Sequence, residues 1–178
     1  AGDDTEIWYS YLTGNWNDPN NWTLDGALSA SFVNPDNKVP GVGDTVVIQT
    51  GRTITADIND ILIQRIEIIG TLDLASSSGH NFGNIEGIGT MRLAGAGGLD
   101  NYPDGDDSPF FDAVEGGTVE YYGAAIELNQ IGEFNNLILN LDNAASIATF
   151  TASSFNINGE FNINRGVYQF NDGVSTDN

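Results

Sequence analysis

A short pattern recurs along this chain: a glycine, then apolar residues two and four positions later with a polar residue between them. It stands at Gly70-Thr-Leu-Asp-Leu, Gly89-Thr-Met-Arg-Leu, Gly117-Thr-Val-Glu-Tyr, Gly159-Glu-Phe-Asn-Ile and Gly166-Val-Tyr-Gln-Phe. At this apolar content roughly two matches are expected by chance, so five among 22 glycines are an excess. The intervals Gly51 to Gly70 and Gly70 to Gly89 are each 19 residues, and the 42 residues from Gly117 to Gly159 read as two turns of 21. Only the 28 residues between Gly89 and Gly117 break the rhythm. Short alternating strands at a fixed period of about 20 residues are what a parallel β-solenoid requires, because each coil must bring the chain back to pair with the coil beneath.

Helix signals are nearly missing, since no stretch of about 11 residues keeps an apolar stripe at helical spacing without a glycine or β-branched interruption. Alternating segments at 45–49, 61–69, 71–74, 90–93, 118–122, 136–141, 155–157, 161–163 and 167–170 read as strands instead. The expected fold is all-β, a right-handed parallel β-helix of six or seven coils over residues 44–170. Residues 1–43 form a divergent aromatic N-terminal cap, and 44–178 are rungs that continue in a longer parent protein. Leu72, Leu74, Met91, Leu93, Val119, Tyr121, Phe161 and Ile163 point inward, with Asp73 and Arg92 as outward neighbours. The glycines suit corners that need positive φ. The alternative is an antiparallel β-sandwich whose glycines mark hairpin turns.

Charge narrows the partners. With 25 acidic residues against five basic ones, a net charge of −20 repels nucleic acid and anionic membranes. No apolar run is long enough for a bilayer helix, and the absence of cysteine removes a disulfide framework and a thiolate metal site. The start at Ala1-Gly2-Asp3-Asp4 reads as already processed. Abundant Gly, Asn, Asp and Thr with few basic residues point to an extracellular bacterial protein.

Two stretches carry a resemblance. The first is Gly14-Asn15-Trp16-Asn17-Asp18-Pro19-Asn20-Asn21-Trp22, followed by Val39-Pro40-Gly41-Val42-Gly43-Asp44-Thr45-Val46-Val47-Ile48 and Gly51. The second is Gly117-Thr-Val-Glu-Tyr-Tyr-Gly123, followed by Phe134-Asn135-Asn136-Leu137-Ile138-Leu139. Together they resemble β-solenoid repeat modules of large bacterial cell-surface proteins, similar to the gliding-associated adhesins that Bacteroidetes export by the type IX route. The resemblance implies an architecture and a cell-surface setting, with neighbouring domains of the same polypeptide as partners, and does not imply a ligand.

Candidate sites are few. Trp8, Trp16 and Trp22 fit either a cap over the first rung or a platform for an extracellular glycan. Asp100, Asp104, Asp106 and Asp107 gather hard oxygen donors in the interval that breaks the rhythm, which suits calcium or else a solvated acidic turn. Asp73, Arg92 and Glu120 occupy the polar position of three successive signatures, as a surface ion ladder or as a glycan-cleaving set. His80 has no cysteine or second histidine to share a metal and receives no catalytic role. The functional expectation is therefore a structural or adhesive stalk, not an enzyme. A glycan-binding module and a β-helix polysaccharide lyase or hydrolase are the alternatives.

Overall fold

Alternation with period two gives each short strand one apolar and one polar face, and stacking the apolar faces of successive coils makes a continuous core. The computed structural model is an all-β parallel solenoid of about six turns. It describes residues 5–26, 31–112, 114, 116–128, 133–151 and 156–170. The acidic start at 1–4, the expected strand residue Phe155 and the polar stub 171–178 lie outside these.

In chain order the first strands are β1 (Ile7–Ser10), β2 (Gly14–Asn15) and β3 (Trp22–Thr23). Three coils of two strands follow: β4 (Thr45–Ile48) with β5 (Thr53–Thr55), β6 (Arg65–Ile68) with β7 (Thr71–Asp73), and β8 (Asn81–Glu86) with β9 (Thr90–Leu93). Later coils add a third strand: β10 (Asp104–Asp106), β11 (Thr118–Gly123) and β12 (Ile126–Leu128), then β13 (Glu133–Phe134), β14 (Asn136–Leu141) and β15 (Ile147–Phe150). The last are β16 (Asn156–Ile157), β17 (Phe161–Arg165) and β18 (Val167–Phe170). The first sheet runs β10-β8-β6-β4-β1-β3 and the second β17-β14-β11-β9-β7-β5-β2, with smaller sheets β12-β15-β18 and β13-β16. Among the described strands every pairing is parallel except β1 with β3. That excludes the antiparallel sandwich.

Thr53, Thr71, Thr90, Thr118 and Asn136 stand in one column of the second sheet. Asn136 corrects the spacing. The 42-residue interval divides into a step of 18 from Thr118 to Asn136 and one of 24 from Leu137 to Phe161, not two of 21. The extra coil was invisible as a signature because buried Asn135, not glycine, occupies its corner.

The reason for the glycines is also corrected. Of the five signature glycines only Gly166 has positive φ, at 112°. Gly70, Gly89 and Gly159 are places where neighbouring coils touch, and Gly117 makes room for the Phe110 ring of its own coil. A methyl group on Gly89 would lie 2.3 Å from the Gly70 carbonyl oxygen, and one on Gly70 would lie 2.2 Å from that of Gln49.

Leu72, Leu74, Met91, Leu93, Val119 and Tyr121 are buried as expected, and Phe161 packs half-buried against the core. Ile163 departs from expectation at 41% exposed. It sits on β17, the edge strand of its sheet, so among the described strands it has a neighbour on one side only.

The N-terminal segment is more than a cap. Residues 7–9 pair in parallel with residues 45–47, so β1 is itself a rung, and β3 turns back antiparallel over its outer edge. Three indoles fill the space inside: Trp8, Trp16 and Trp22 are buried, with Trp16 edge-on to Trp22 at 4.9 Å. The Trp22 indole donates to the Trp16 carbonyl at 2.7 Å, and Asn21 Nδ2 donates to the Asn15 carbonyl at 2.8 Å. Asp44 fastens this segment to the first full coil. Its carboxylate accepts from the Glu6 amide at 3.0 Å, the Gly41 amide at 2.9 Å and the Trp8 indole at 3.1 Å. The tryptophan segment and the glycine-aspartate pair are thus two halves of one closure.

Candidate functional site

On the outer face of the second sheet, register places Asp73, Arg92 and Glu120 on successive rungs. Arg92 Nη1 donates to Asp73 Oδ2 at 3.0 Å and Arg92 Nε to Glu120 Oε2 at 2.9 Å. The Tyr122 ring lies 4.3 Å from the guanidinium carbon, and its hydroxyl donates to Asp73 Oδ1 at 2.8 Å. Burial, then the hydrogen bond to Asp73, pushes that hydroxyl up to about 12. From the next rung Asn140, in register with Tyr122, donates its Nδ2 to Glu120 Oε1 at 3.1 Å. Asp73 does project outward, yet it is only 9% exposed because Tyr122 covers it. Each oxygen of Asp73 and Glu120 already accepts a hydrogen bond, so the column acts as a ladder that fastens coils together.

The outer face of the first sheet is different. Tyr9, Val47, Glu67 and Glu86 share one column along β1, β4, β6 and β8. Beside it Gln49, Ile69 and Ile88 mark the edge of a groove, which reaches about 310 Å³ near Tyr9 and about 360 Å³ near Pro109. The two stretches share Glu67 and Ile69. Glu86 is ion-paired with Arg65. No sequence motif pointed to this face, because its residues come from five coils and follow no local pattern.

The acidic interval is split by the fold. Asp100 is buried and accepts from the Tyr121 hydroxyl at 3.1 Å and the Tyr102 amide at 3.0 Å. Burial, then Asp100, holds the Tyr121 hydroxyl well above its ordinary range. Asp104 and Asp106 lie exposed on β10, which pairs with β8 at Asn81 and Asn84. Asp107 is half-buried before a 3-10 turn, and burial raises its carboxyl. Among the described residues no three His, Cys, Asp or Glu side chains form a metal-holding group. The fold therefore separates Asp100, inside the coil, from Asp104 and Asp106 on its surface.

Trp8, Trp16 and Trp22 offer no ring to solvent. A sugar platform needs an exposed face, so these three buried rings do not form one. His80 is buried between Ile61, whose amide donates to Nδ1 at 3.2 Å, and Ser77, whose Oγ lies 3.0 Å from Nε2. It stacks on Phe82 at 5.5 Å.

No known protein family, curated protein or solved structure matches this chain.

Proposed function

We propose that this chain is a structural and adhesive module of a secreted or cell-surface bacterial protein, of the type IX-exported, gliding-adhesin kind that its motifs resemble. It serves as an acidic stalk or surface-contact segment joined to neighbouring domains of the same polypeptide, with no catalytic role of its own. The observation that carries this reading is the outer ladder from Asp73 to Asn140, in which charged groups are used to tie coils together. A core continuous from Trp8 to Phe150 supports it, since such a stack maintains an extended surface without disulfides.

The test is made on cells. Antibodies against this chain should label intact cells of the source bacterium, protease shaving should remove the label, and deleting the segment should lower attachment to surfaces severalfold. Label confined to permeabilised cells, or attachment unchanged on deletion, overturns the reading.

A further inference from the structure

We infer that the groove on the outer face of the first sheet binds a neutral oligosaccharide chain lying along the solenoid axis. This deepens the adhesive reading and rests on it for biological context.

The first observation is Gln49. It is only 6% exposed and lines the groove, yet no hydrogen bond from its side-chain amide to another described residue is present. A primary amide offers two donors and an acceptor, and one held among packed side chains but open to a groove is prepared for a polar ligand. The second observation is the carboxylate pair. Glu67 and Glu86 face each other in register, about 4.8 Å apart as parallel strands require, and like charges so placed oppose pairing. Arg65 neutralises Glu86, while Glu67 has no ion pair among the described residues. A carboxylate accepts hydrogen bonds only, so it suits a hydroxyl donor. The third is the apolar lining between the polar groups: Val47, Ile69, Pro109, the Tyr9 ring and Ile88, which is 64% exposed. Alternating polar and apolar groups fit a chain that has hydroxyls on its rim and C–H faces on its rings.

Sign and geometry select among chain-like ligands. Uncompensated negative charge at Glu67, on a molecule of net charge −20, repels uronates and sulfated glycans. An extended peptide typically binds such a fold by adding a strand to an unpaired edge. Here β4, β6 and β8 each already pair on both sides, so the groove offers no free backbone.

Affinity electrophoresis in gels containing xyloglucan, mannan or β-1,3-glucan tests the proposal, with alginate as the anionic counterpart and a lysine-rich decapeptide titrated by calorimetry. At least one neutral polysaccharide should retard the protein, and Glu67→Ala and Tyr9→Ala should each weaken that binding about tenfold or more. Glu67→Gln, which keeps the shape, should weaken it less. Thermal melts show that each variant is folded before it is scored. Failure of all three neutral gels, retardation unchanged in both alanine variants, or stronger binding to alginate or the peptide overturns the proposal. Cell labelling does not depend on these substitutions, so a glycan failure leaves the surface-module reading standing, and a labelling failure leaves the groove measurable.

Discussion

His80 shows how the fold sets the chemistry of one side chain. The Ile61 amide donates to Nδ1, so the neutral ring keeps its proton on Nε2, facing Ser77 Oγ. Burial lowers its pKa, against smaller raising effects of Asp60 and the Ser77 backbone. The unfolded ring titrates near about 6.5, so the protonated ring favours the unfolded chain. Its contribution is present above that value and is lost as pH falls through the lower folded pKa. We expect the unfolding midpoint to drop between pH 7 and pH 5, a window in which most carboxylates stay ionised, and His80→Gln to flatten that slope. An equal slope in both proteins would remove His80 as the cause. Trp16 gives the second residue-scale test. It is fully buried between Trp22 and Phe82, so Trp16→Ala should cost about 3 to 5 kcal/mol in chemical denaturation.

Between neighbouring strands, close approach and charge do separate work. Gly89 lies against the Gly70 carbonyl, where a methyl group has no room. Gly89→Ala should therefore destabilise by at least the ~1–3 kcal/mol of an overpacked site. The charge ladder predicts asymmetry. Arg92→Ala leaves Asp73, covered by Tyr122, without its ion pair and should cost about 1–3 kcal/mol. Tyr122→Phe removes one hydrogen bond and should cost about 1 kcal/mol. Denaturant melts that rank them in the reverse order would show that the Tyr122 hydroxyl, and not the guanidinium, carries the column.

For the molecule as a whole, the question is how a net charge of −20 is held together. Added salt should raise the unfolding midpoint by screening self-repulsion. Calcium is the specific cation to set against sodium, with Asp104 and Asp106 exposed on β10 and Asp107 next in sequence. An ion that binds only the folded chain at ten times its dissociation constant stabilises by about 1.4 kcal/mol. If calcium is bound there, millimolar calcium raises the midpoint beyond sodium chloride of equal ionic strength, and Asp104→Asn with Asp106→Asn abolishes the excess. Equal effects of the two salts would leave β10 an ordinary solvated strand.

The sequence by itself determined the class of fold and the inward face of its central rungs, because a two-residue alternation repeated at one coil's length has few structural solutions. Leu72, Met91 and Val119 were legible for that reason, and so was the Asp73, Arg92 and Glu120 column. Tertiary structure decided what depends on neighbours distant in the chain. It showed that Asn135 stands at a corner where other coils carry a signature glycine, that Gly70 and Gly89 answer to contact and not to φ, and that β1 is a rung closed by Asp44. It placed Asp100 inside and Asp104 outside, which spacing along one loop could not reveal. The groove from Tyr9 to Pro109 was least legible of all, since each coil contributes at most three of its residues and only stacking brings them to one face.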